Sequence, residues 1–551
     1  MNLKHPSIVP PQRLVADWTA LMRTFIQPED AATRQRLVKY MEQILFGLQN
    51  FLSEHVGITE EASLVDLAAR HMDTQIPETP GKKLAEVISD LIEDIAPHAV
   101  NVASPYFIGH MTSAIPFFMI HLKTIVAALN QNVVKVETSK IASIVEKQVL
   151  ARVHRLIYEK DEAFYARHVQ NVHTTLGSFV EDGTLANLSA LWVARNRLFA
   201  GSGVDIEGDG LAAACRISGI DRCVVLVSRM AHYSLQKAAG ILGIGNRNVI
   251  PIDTDARFRL DMKCLKRTIS GLQRDAPGTR VLAVVGIAGT TETGSVDPLE
   301  EMAALCRQHR IHFHVDAAWG GPSLMSPRHR HILAGVAEAD SVTIDGHKQF
   351  YMPMTCGMVL FSDPCAMDCV AYHARYINRP GSVDLGIKSL SGSREAVSLI
   401  LDSALKIMGS RGYALLIDHG IDLATAFAAE IHARVGLELT SAPELNILTY
   451  RLIPPALDPR HPRLAALEKE RRLAALNHLN ERVQRLQREA GKSFVSRTTL
   501  RLPDFPEAET VVLRCVLMNP LTTMAILKDI LDEQEALAEG VLADILAEGA
   551  A

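Results

Sequence analysis

The chain has 551 residues, a formal net charge of −5 at pH 7, 48% hydrophobic residues and 22% charged residues. These values are typical of a large globular protein, and they exclude a wholly disordered chain, a collagen and a small disulfide-stapled scaffold. A charge balance this close to neutral provides no strong field for binding nucleic acid or anionic lipid.

Neither the apolar stretches nor the cysteines indicate a membrane or secreted protein. The longest apolar stretch, residues 114–129, is interrupted by Pro116, His121 and Lys123, so it does not predict a membrane span. Residues 1–11 lack the apolar core of a secretory signal. The eight cysteines are scattered, and one CxxxC spacing has no second pair nearby. We therefore expect reduced thiols in a cytoplasmic protein.

Residues 10–91 show apolar side chains at helical spacings of three and four, as in Leu37, Met41, Leu45 and Leu48. Pro77, Pro80 and Gly81 interrupt this pattern. We interpret residues 1–95 as an N-terminal helical segment that packs on a partner subunit.

The middle of the chain, residues 96–420, alternates short apolar runs with helical patterns, such as those over 233–242 and 298–308. Continuous apolar strands between helices predict an α/β fold with a mostly parallel sheet that is covered on both faces. The predicted strands are residues 223–228, 248–252, 281–287, 311–315 and 341–344.

The pattern of apolar residues changes in the last part of the chain, residues 421–551, after a long helical pattern that spans residues 401–434. Alternating strand and helix patterns predict a small α+β domain. The predicted elements are strands 446–452 and 510–517, and helices 463–490 and 522–547.

A carboxylate stands at the end of one predicted strand, in the run HFHVDAAWGG that contains Asp316. Ligands of open parallel sheets bind beyond the carboxyl ends of the strands. An acid there, followed by small alanines, suits a flat cationic heterocycle. A metal site is an alternative, because His312, His314 and Asp316 share one face of the strand. A structural role for the two histidines is a further alternative.

Other polar residues follow neighbouring strands. Lys348 in DGHK is a candidate Schiff-base lysine, although a lysine in such a place is often only a surface residue. The same residues do not fit the frame of a Walker A loop. His232 could stack on a planar ligand or simply pack, and the turn GTTETG of residues 289–294 is rich in hydroxyl groups. The loop of residues 181–187 opens a helix whose amides could bind a phosphate, or it could be an ordinary cap at Asp182 or Thr184.

The order of these motifs resembles the group II pyridoxal-phosphate decarboxylases, the glutamate and aromatic-amino-acid decarboxylase superfamily. The resemblance covers residues 104–394 and is closest to the bacterial pyridoxal-dependent aspartate 1-decarboxylase branch. The segments that carry it are SPYFIGHMTS at 104–113, LNQNVVKVETS at 129–139, ALWVARN at 190–196, GTTETGSVDP at 289–298, HFHVDAAWGGP at 312–322 and VTIDGHKQ at 342–349.

The resemblance implies the type I aspartate aminotransferase-like fold, a homodimer with intertwined N-terminal segments, and pyridoxal 5'-phosphate as cofactor with no metal. Lys348 would hold the cofactor as a Schiff base, Asp316 would pair with its ring nitrogen and His232 would stack on the ring. Further cofactor contacts are implied for Gly183, Thr184 and His347 near the phosphate and for Thr290 and Ala318 along the ring.

Two departures from the family pattern stand out. Glu181 and Asp182 occupy the phosphate loop where relatives carry small residues, and these acids should weaken phosphate binding unless they point away or cap the helix. The stretch 378–390, where relatives have a mobile loop, contains no tyrosine. The candidates to protonate the reacting carbon are therefore Tyr372, His373, Tyr376 and Lys348.

The resemblance favours α-decarboxylation of an amino acid, with L-aspartate to β-alanine first, glutamate next and an aromatic or diamino acid after that. An aminotransferase and a non-catalytic binding protein are the alternatives. An acidic substrate brings a second carboxylate that needs a cation or several donors. We expect His110, Asn130, Asn132 and Arg394 to bind the substrate, with Arg394 the preferred partner of its carboxylate.

Overall fold

The computed structural model describes residues 17–18, 31–53, 64–374, 382–457, 469–503 and 505–549. The chain divides into two compact units. The first is Met1–Phe107 with Arg485–Phe494, and the second is Ile108–Gln484 with Val495–Ala551. The three-part division expected from the sequence stays a prediction.

The N-terminal part of the first unit is helical where it is described. Its α-helices are Ala31–Ser53, Leu64–Arg70 and Leu84–Asp90. Residues 72–83, which hold the two prolines and the glycine, separate the last two, as predicted. Gln43 donates to the carbonyl of Ala85 at 3.3 Å and to the hydroxyl of Ser89 at 3.3 Å, which joins the first and third helices. The rest of the predicted helical pattern lies outside the described residues.

The second unit is built on a seven-stranded sheet in the order β1-β7-β6-β5-β4-β2-β3. Strands β2 to β6 pair in parallel, whereas β7 is antiparallel to both of its neighbours. The bounds are β1 Gly177–Val180, β2 Arg222–Ser228, β3 Val249–Ile252, β4 Thr279–Ile287, β5 His312–Asp316, β6 Ser341–Asp345 and β7 Gly357–Phe361. All five predicted strands are present, and β1 and β7 are additional.

Helices cover both faces of this sheet. Val224 and Leu226 of β2 join one buried apolar cluster, and the alternating Val225 and Val227 join another. Burial on both faces explains why these strands are continuously apolar. The α-helices of this region are Phe118–Leu129, Val136–Ser139, Ile141–Tyr158, Glu162–His168, Gly183–Leu198, Ile206–Ile217, Ser234–Ile241, Met262–Asp275, Leu299–His309 and Ser398–Ala433.

A second, four-stranded antiparallel sheet follows in the order β10-β11-β9-β8. Its bounds are β8 Leu437–Ser441, β9 Ile447–Leu452, β10 Ser496–Leu500 and β11 Thr510–Val516. The helices of this part are Lys469–Ala490 and Met524–Gly549. The small α+β region predicted near the C-terminus is therefore confirmed, with β8 and β10 added to the two predicted strands.

The parallel strands bring four chain positions to one edge of the large sheet: Ser228, Ile287, Asp316 and Asp345 end β2, β4, β5 and β6. Ile287 lies beside Asp316 in the register, and Asp316 lies beside Thr343. This edge is where the polar motifs of the sequence converge. None of the described helices is long and apolar enough to cross a membrane.

Candidate active site

A cavity of about 250 Å³ opens beyond this edge of the sheet. It lies wholly within the second unit and combines residues that are up to 404 positions apart in the chain. Its polar lining residues are His110, Thr112, Asp182, Thr184, Asn187, His232, Tyr233, Thr291, Asp316, Asp345, His347, Lys348 and Arg514, and its other lining residues are Met111, Gly183, Met230, Ile287, Gly289, Ala318, Trp319 and Met354.

Lys348 lines the cavity just after β6, with a side chain that is 20% exposed. Its ammonium group lies 2.9 Å from Oδ2 of Asp345, which is 3% exposed. Burial raises the pKa of Asp345, although the nearby Lys348 and His347 oppose this shift. The turn after β6 therefore presents a reactive amine together with a buried counter-charge, and sequence reasoning did not single out Asp345.

Asp316 is buried at the end of β5 and is held by two donors. The amide nitrogen of Asn187 donates to its Oδ2 at 2.8 Å, and the backbone N–H of Ala318 donates to its Oδ1 at 3.1 Å. Donors on both oxygens fix the orientation of this side chain. Asn187 was not recognised from the sequence, although it follows the phosphate loop on the same helix.

The proposed metal ligands make other bonds in the structure. His314 is fully buried, with its two ring nitrogens 3.0 Å from Oδ1 of Asn187 and 2.9 Å from the hydroxyl of Ser341. Nε2 of His312 lies 2.8 Å from the same hydroxyl. The part of the chain that the structure describes contains no group of three His, Cys, Asp or Glu residues arranged to hold a metal ion.

The phosphate loop leads into the helix Gly183–Leu198, and its two acids turn to other partners. Asp182 is the N-cap, and its side chain accepts from the backbone N–H of Leu185 at 3.0 Å. Glu181 accepts from the hydroxyl of Ser391 at 2.8 Å and does not line the cavity. Gly183 and Thr184 line it at the helix N-terminus, where backbone amides favour an anion.

Two histidines also line the cavity, as the sequence analysis expected. His232 follows β2 and precedes the helix Ser234–Ile241, and its Nδ1 accepts from the backbone N–H of Ser234 at 3.3 Å. Burial is the main cause that lowers the pKa of His232, so its ring is neutral near pH 7. His347 places Nδ1 2.8 Å from the carbonyl of Cys356.

The hydroxyl-rich turn contributes Thr291 to the cavity, whereas the sequence analysis expected Thr290. The Thr290 hydroxyl points into the turn, where it lies 2.7 Å from that of Thr293 and accepts from the backbone N–H of Ser295 at 3.1 Å. Gly289 also lines the cavity. At its φ of +99° any Cβ would come within 2.9 Å of the Trp319 ring, so glycine is required there.

The four expected substrate-binding residues are not brought together. His110 lines the cavity, and burial, Arg514 and Lys348 lower its pKa. Asn130, Asn132 and Arg394 do not line it. Asn130 ends the helix Phe118–Leu129 in a left-handed conformation, and Asn132 accepts from the backbone N–H of Arg394 at 3.1 Å.

Arg394 needs the clearest correction, because it was the preferred partner of the substrate carboxylate. Its guanidinium already binds Glu146 bidentately, with nitrogen–oxygen distances of 2.6 and 2.9 Å. The Arg394 and Glu146 side chains are 6% and 1% exposed. Both charges are satisfied by this buried pair, so Arg394 serves the fold rather than the cavity.

Arg514 is the cationic side chain that sequence reasoning missed. It lies on β11, is 7% exposed and lines the cavity. One terminal nitrogen donates to the carbonyl of Gly109 and to the hydroxyl of Ser496, both at 3.3 Å. Its Nε has no hydrogen-bond partner among the described residues. An arginine inside the apolar run VVLRCV was the available signal, since a buried charge requires a partner.

The residues expected to protonate the reacting carbon have different positions. Lys348 lines the cavity, but Tyr372 and His373 do not. The Tyr372 hydroxyl instead donates to Glu207. Tyr376 lies outside the described residues, as do residues 375–381 in general.

The cavity fits pyridoxal phosphate. It presents the primary amine of Lys348 for the aldehyde, the buried carboxylate of Asp316 for the ring nitrogen, and backbone amides for the phosphate. The start of the helix also lies close to the turn after β6, because a Cβ on Gly183 would lie 2.9 Å from Oδ2 of Asp345. Glycine at this position therefore leaves the backbone amides open to a phosphate. Lys348, Asp316 and the amides of Gly183 and Thr184 are the groups that would hold the cofactor.

Sequence comparisons identify relatives over most of the chain. The pyridoxal-dependent decarboxylase conserved domain matches residues 67–453. The chain is 42% identical to aspartate 1-decarboxylase of Aliivibrio fischeri over 529 residues, which cover 95% of each protein. It is 27% identical to L-2,4-diaminobutyrate decarboxylase of Acinetobacter baumannii, over 69% of this chain and 73% of that protein.

Solved structures show the same fold at lower identity. Mouse CSAD superimposes with a TM-score of 0.78 and 23% identity, over 91% of this chain and 99% of that one. Tryptophan decarboxylase of Catharanthus roseus superimposes with a TM-score of 0.75 and 18% identity, over 94% and 100%. The expected type I aspartate aminotransferase-like fold is confirmed. This chain belongs to the pyridoxal-dependent decarboxylase family, as a carboxy-lyase that uses pyridoxal phosphate.

Proposed function

We propose that this enzyme removes the α-carboxylate of L-aspartate and produces β-alanine and CO₂. The observation that carries the proposal is the 42% identity to aspartate 1-decarboxylase of Aliivibrio fischeri over 95% of both chains. Glutamate is the second candidate substrate, because acidic amino acid decarboxylase GADL1 of Bos taurus is 29% identical over 66% of this chain.

The residues around the cavity have distinct tasks in this reaction. Bound pyridoxal phosphate supplies an electron-accepting ring for the charge left at Cα when CO₂ departs. Asp316 would pair with the ring nitrogen and favour its protonated form. Lys348 would tether the cofactor and would carry protons to and from the reacting carbon. Ala318 and the buried Trp319 exclude water from it.

The position of Arg514 in the cavity lining supports the proposal that the enzyme binds a carboxylate of its substrate there. The hydrogen bonds of Arg514 within the described part of the chain go to a carbonyl and a hydroxyl, and burial of the guanidinium is costly without an anionic partner. Burial lowers the pKa of Arg514, while Glu292 and Cys515 oppose that shift. A carboxylate bound there would restore the missing partner, which is the role first assigned to Arg394.

We further propose that the enzyme is a cytoplasmic homodimer. Apolar side chains stand exposed on the second unit at the helices Phe118–Leu129 and Ile141–Tyr158, where Phe117 is 76%, Ile125 55% and Ile141 67% exposed. A second copy of the chain would cover them. All eight cysteines are free, which supports a reducing compartment.

A screen of the twenty amino acids for CO₂ release by the purified holoenzyme tests the substrate. We expect aspartate to give the highest kcat/KM and β-alanine as its product. Preference for tyrosine, phenylalanine or a diamino acid would contradict the acidic-substrate proposal and leave the decarboxylase assignment intact. Accumulation of pyridoxamine phosphate in stoichiometric amount would instead indicate an aminotransferase.

A further inference from the structure

A continuous series of hydrogen bonds lies behind Asp316, and its first link fixes the orientation of Asn187. A carboxylate only accepts hydrogen bonds, so the Asn187 atom 2.8 Å from Oδ2 of Asp316 is the amide nitrogen. The second N–H of that nitrogen donates to the hydroxyl of Ser234 at 3.0 Å. The Asn187 oxygen therefore faces the opposite way, into the protein.

The second link fixes the tautomer of His314. The Asn187 oxygen accepts from the hydroxyl of Thr343 at 2.8 Å and lies 3.0 Å from Nε2 of His314. Since an amide oxygen cannot donate, Nε2 of His314 carries the hydrogen. Burial lowers the pKa of His314 to about 4, so the ring is neutral near pH 7 and its Nδ1 carries no hydrogen.

The third link runs from His314 to His312 through Ser341. The bare Nδ1 of His314 lies 2.9 Å from the Ser341 hydroxyl, which must donate to it. The Ser341 carbonyl, 3.2 Å from Nδ1, could bond only to a doubly protonated ring. Having donated its one hydrogen, the Ser341 hydroxyl accepts from Nε2 of His312 at 2.8 Å. Burial lowers the pKa of His312 to about 3, so this ring is also neutral.

We infer that His312, Ser341, His314 and Asn187 form a one-way chain of donors that fixes the orientation of the Asp316 side chain for the cofactor ring. Every bond donates in the direction of Asp316, so the dipoles align and strengthen one another in the buried interior. His312 is then a positioning residue that acts through three intermediates. This inference rests on the proposed role of Asp316 as the partner of the ring nitrogen.

The tautomers can be measured without any cofactor or activity. Apoenzyme labelled with nitrogen-15 in its histidines would be examined by two-bond proton–nitrogen correlation NMR, with the two signals assigned from His312→Gln and His314→Gln. We expect both rings to be neutral with the hydrogen on Nε2 between pH 6 and 8. A hydrogen on Nδ1 of His314, or a charged ring at either position, would overturn the inference.

Cofactor binding tests whether this series of hydrogen bonds acts on Asp316. His312→Leu removes the outermost donor, whereas His312→Gln retains an N–H at a similar reach. His154→Leu is the control at another interior histidine, because His154 is buried and bonds to Tyr165 and Phe361, outside this series of hydrogen bonds. For His312→Leu we expect the apoenzyme's Kd for pyridoxal phosphate to rise by about three- to tenfold, the effect of one lost hydrogen bond.

The same variants have a spectroscopic signature. The pH dependence of the bound cofactor's absorbance should shift in His312→Leu and return to the wild-type profile in His312→Gln. The inference would be overturned if His312→Leu and His154→Leu changed the Kd and the absorbance profile equally. It would also be overturned if His312→Gln failed to restore the wild-type Kd and the wild-type absorbance profile. If the wild type released no CO₂ while tautomers and affinities followed expectation, only the proposed function would fail.

Discussion

At the scale of single residues, Arg514 and Arg394 show why a charged side chain must be judged by its partners. Both are buried, but the terminal nitrogens of Arg394 bind the carboxylate of Glu146, whereas the hydrogen bonds that the structure shows for Arg514 go to a carbonyl and a hydroxyl. Sequence alone favoured Arg394, because its planar guanidinium can bind a carboxylate bidentately. The decisive information is the direction of each side chain, which only the folded chain supplies.

Arg514→Met should therefore raise KM for aspartate by about 10²-fold, from the roughly 1.5–3 kcal/mol of a hydrogen bond to a charged group. Steady-state kinetics on aspartate measure this change. Arg394→Met is the matched control and should leave KM of the folded enzyme within a factor of about three. An unchanged KM in Arg514→Met would remove this residue from substrate binding.

Arg394→Met should instead destabilise the protein, because it leaves the carboxylate of Glu146 buried without its partner. Breaking a buried pair costs roughly 3–5 kcal/mol, which denaturant unfolding can detect. Arg328→Met provides a comparison, since Arg328 binds Asp422 bidentately at the surface, where both side chains are more than half exposed. Equal stability of the two variants would show that the buried pair does not support the fold.

Much of the site was predictable at residue level. Lys348, Asp316, His232, Gly183, Thr184, His347, Ala318 and His110 all line one cavity. Which residue of a motif faces the cavity was harder to predict. Thr291 lines the cavity, whereas the motif suggested its neighbour Thr290. Adjacent residues in a tight turn point in different directions, and the motif alone does not say which one points inward.

At the scale of secondary structure, the start of the helix Gly183–Leu198 connects local chemistry with the cofactor. Asp182 caps the helix and Gly183 leaves room beside Asp345. The acids that seemed unfavourable for a phosphate site are thus occupied by a cap and by Ser391. Asp182 lines the cavity as the cap of this helix, whereas Glu181 does not line it and binds Ser391.

Gly183→Ala should weaken binding of pyridoxal phosphate by about tenfold or more, because the new Cβ would lie 2.9 Å from Oδ2 of Asp345 and displace the turn. Equilibrium dialysis of the apoenzyme measures the Kd. Gly240→Ala is the control, since a Cβ on Gly240 in the helix Ser234–Ile241 meets nothing within 4 Å. Identical Kd values for the two variants would contradict the proposed close approach.

The strands show where sequence patterns are sufficient. The five predicted strands of the large sheet are rich in buried apolar residues because helices pack on both faces of the sheet. The short strands β1 and β7 are also buried, but they pair at the other side of the sheet, where β7 runs antiparallel. Strand β1 has the sequence GSFV, whose two large apolar residues do not distinguish a strand from a buried loop or helix.

At the scale of the whole molecule, the exposed apolar side chains on two helices lead to the proposed homodimer. Phe117→Asp combined with Ile125→Asp should convert the dimer to monomers, since each change would bury a charge in the interface. Sedimentation velocity measures the mass. Val435→Asp is the control, because Val435 is 84% exposed and lies outside this surface. A wild type that sediments as a monomer would contradict the proposal.

The central claim is that this enzyme removes the α-carboxylate of aspartate, and carbon-13 NMR with specifically labelled aspartate tests it most directly. Aspartate labelled only in the α-carboxyl should release all of its label as CO₂ and bicarbonate and leave unlabelled β-alanine. Lys348→Ala, which lacks the cofactor-binding amine, should leave the labelled substrate intact. Retention of the label in alanine would show loss of the β-carboxylate, and no turnover of aspartate by the wild type would contradict the claim altogether.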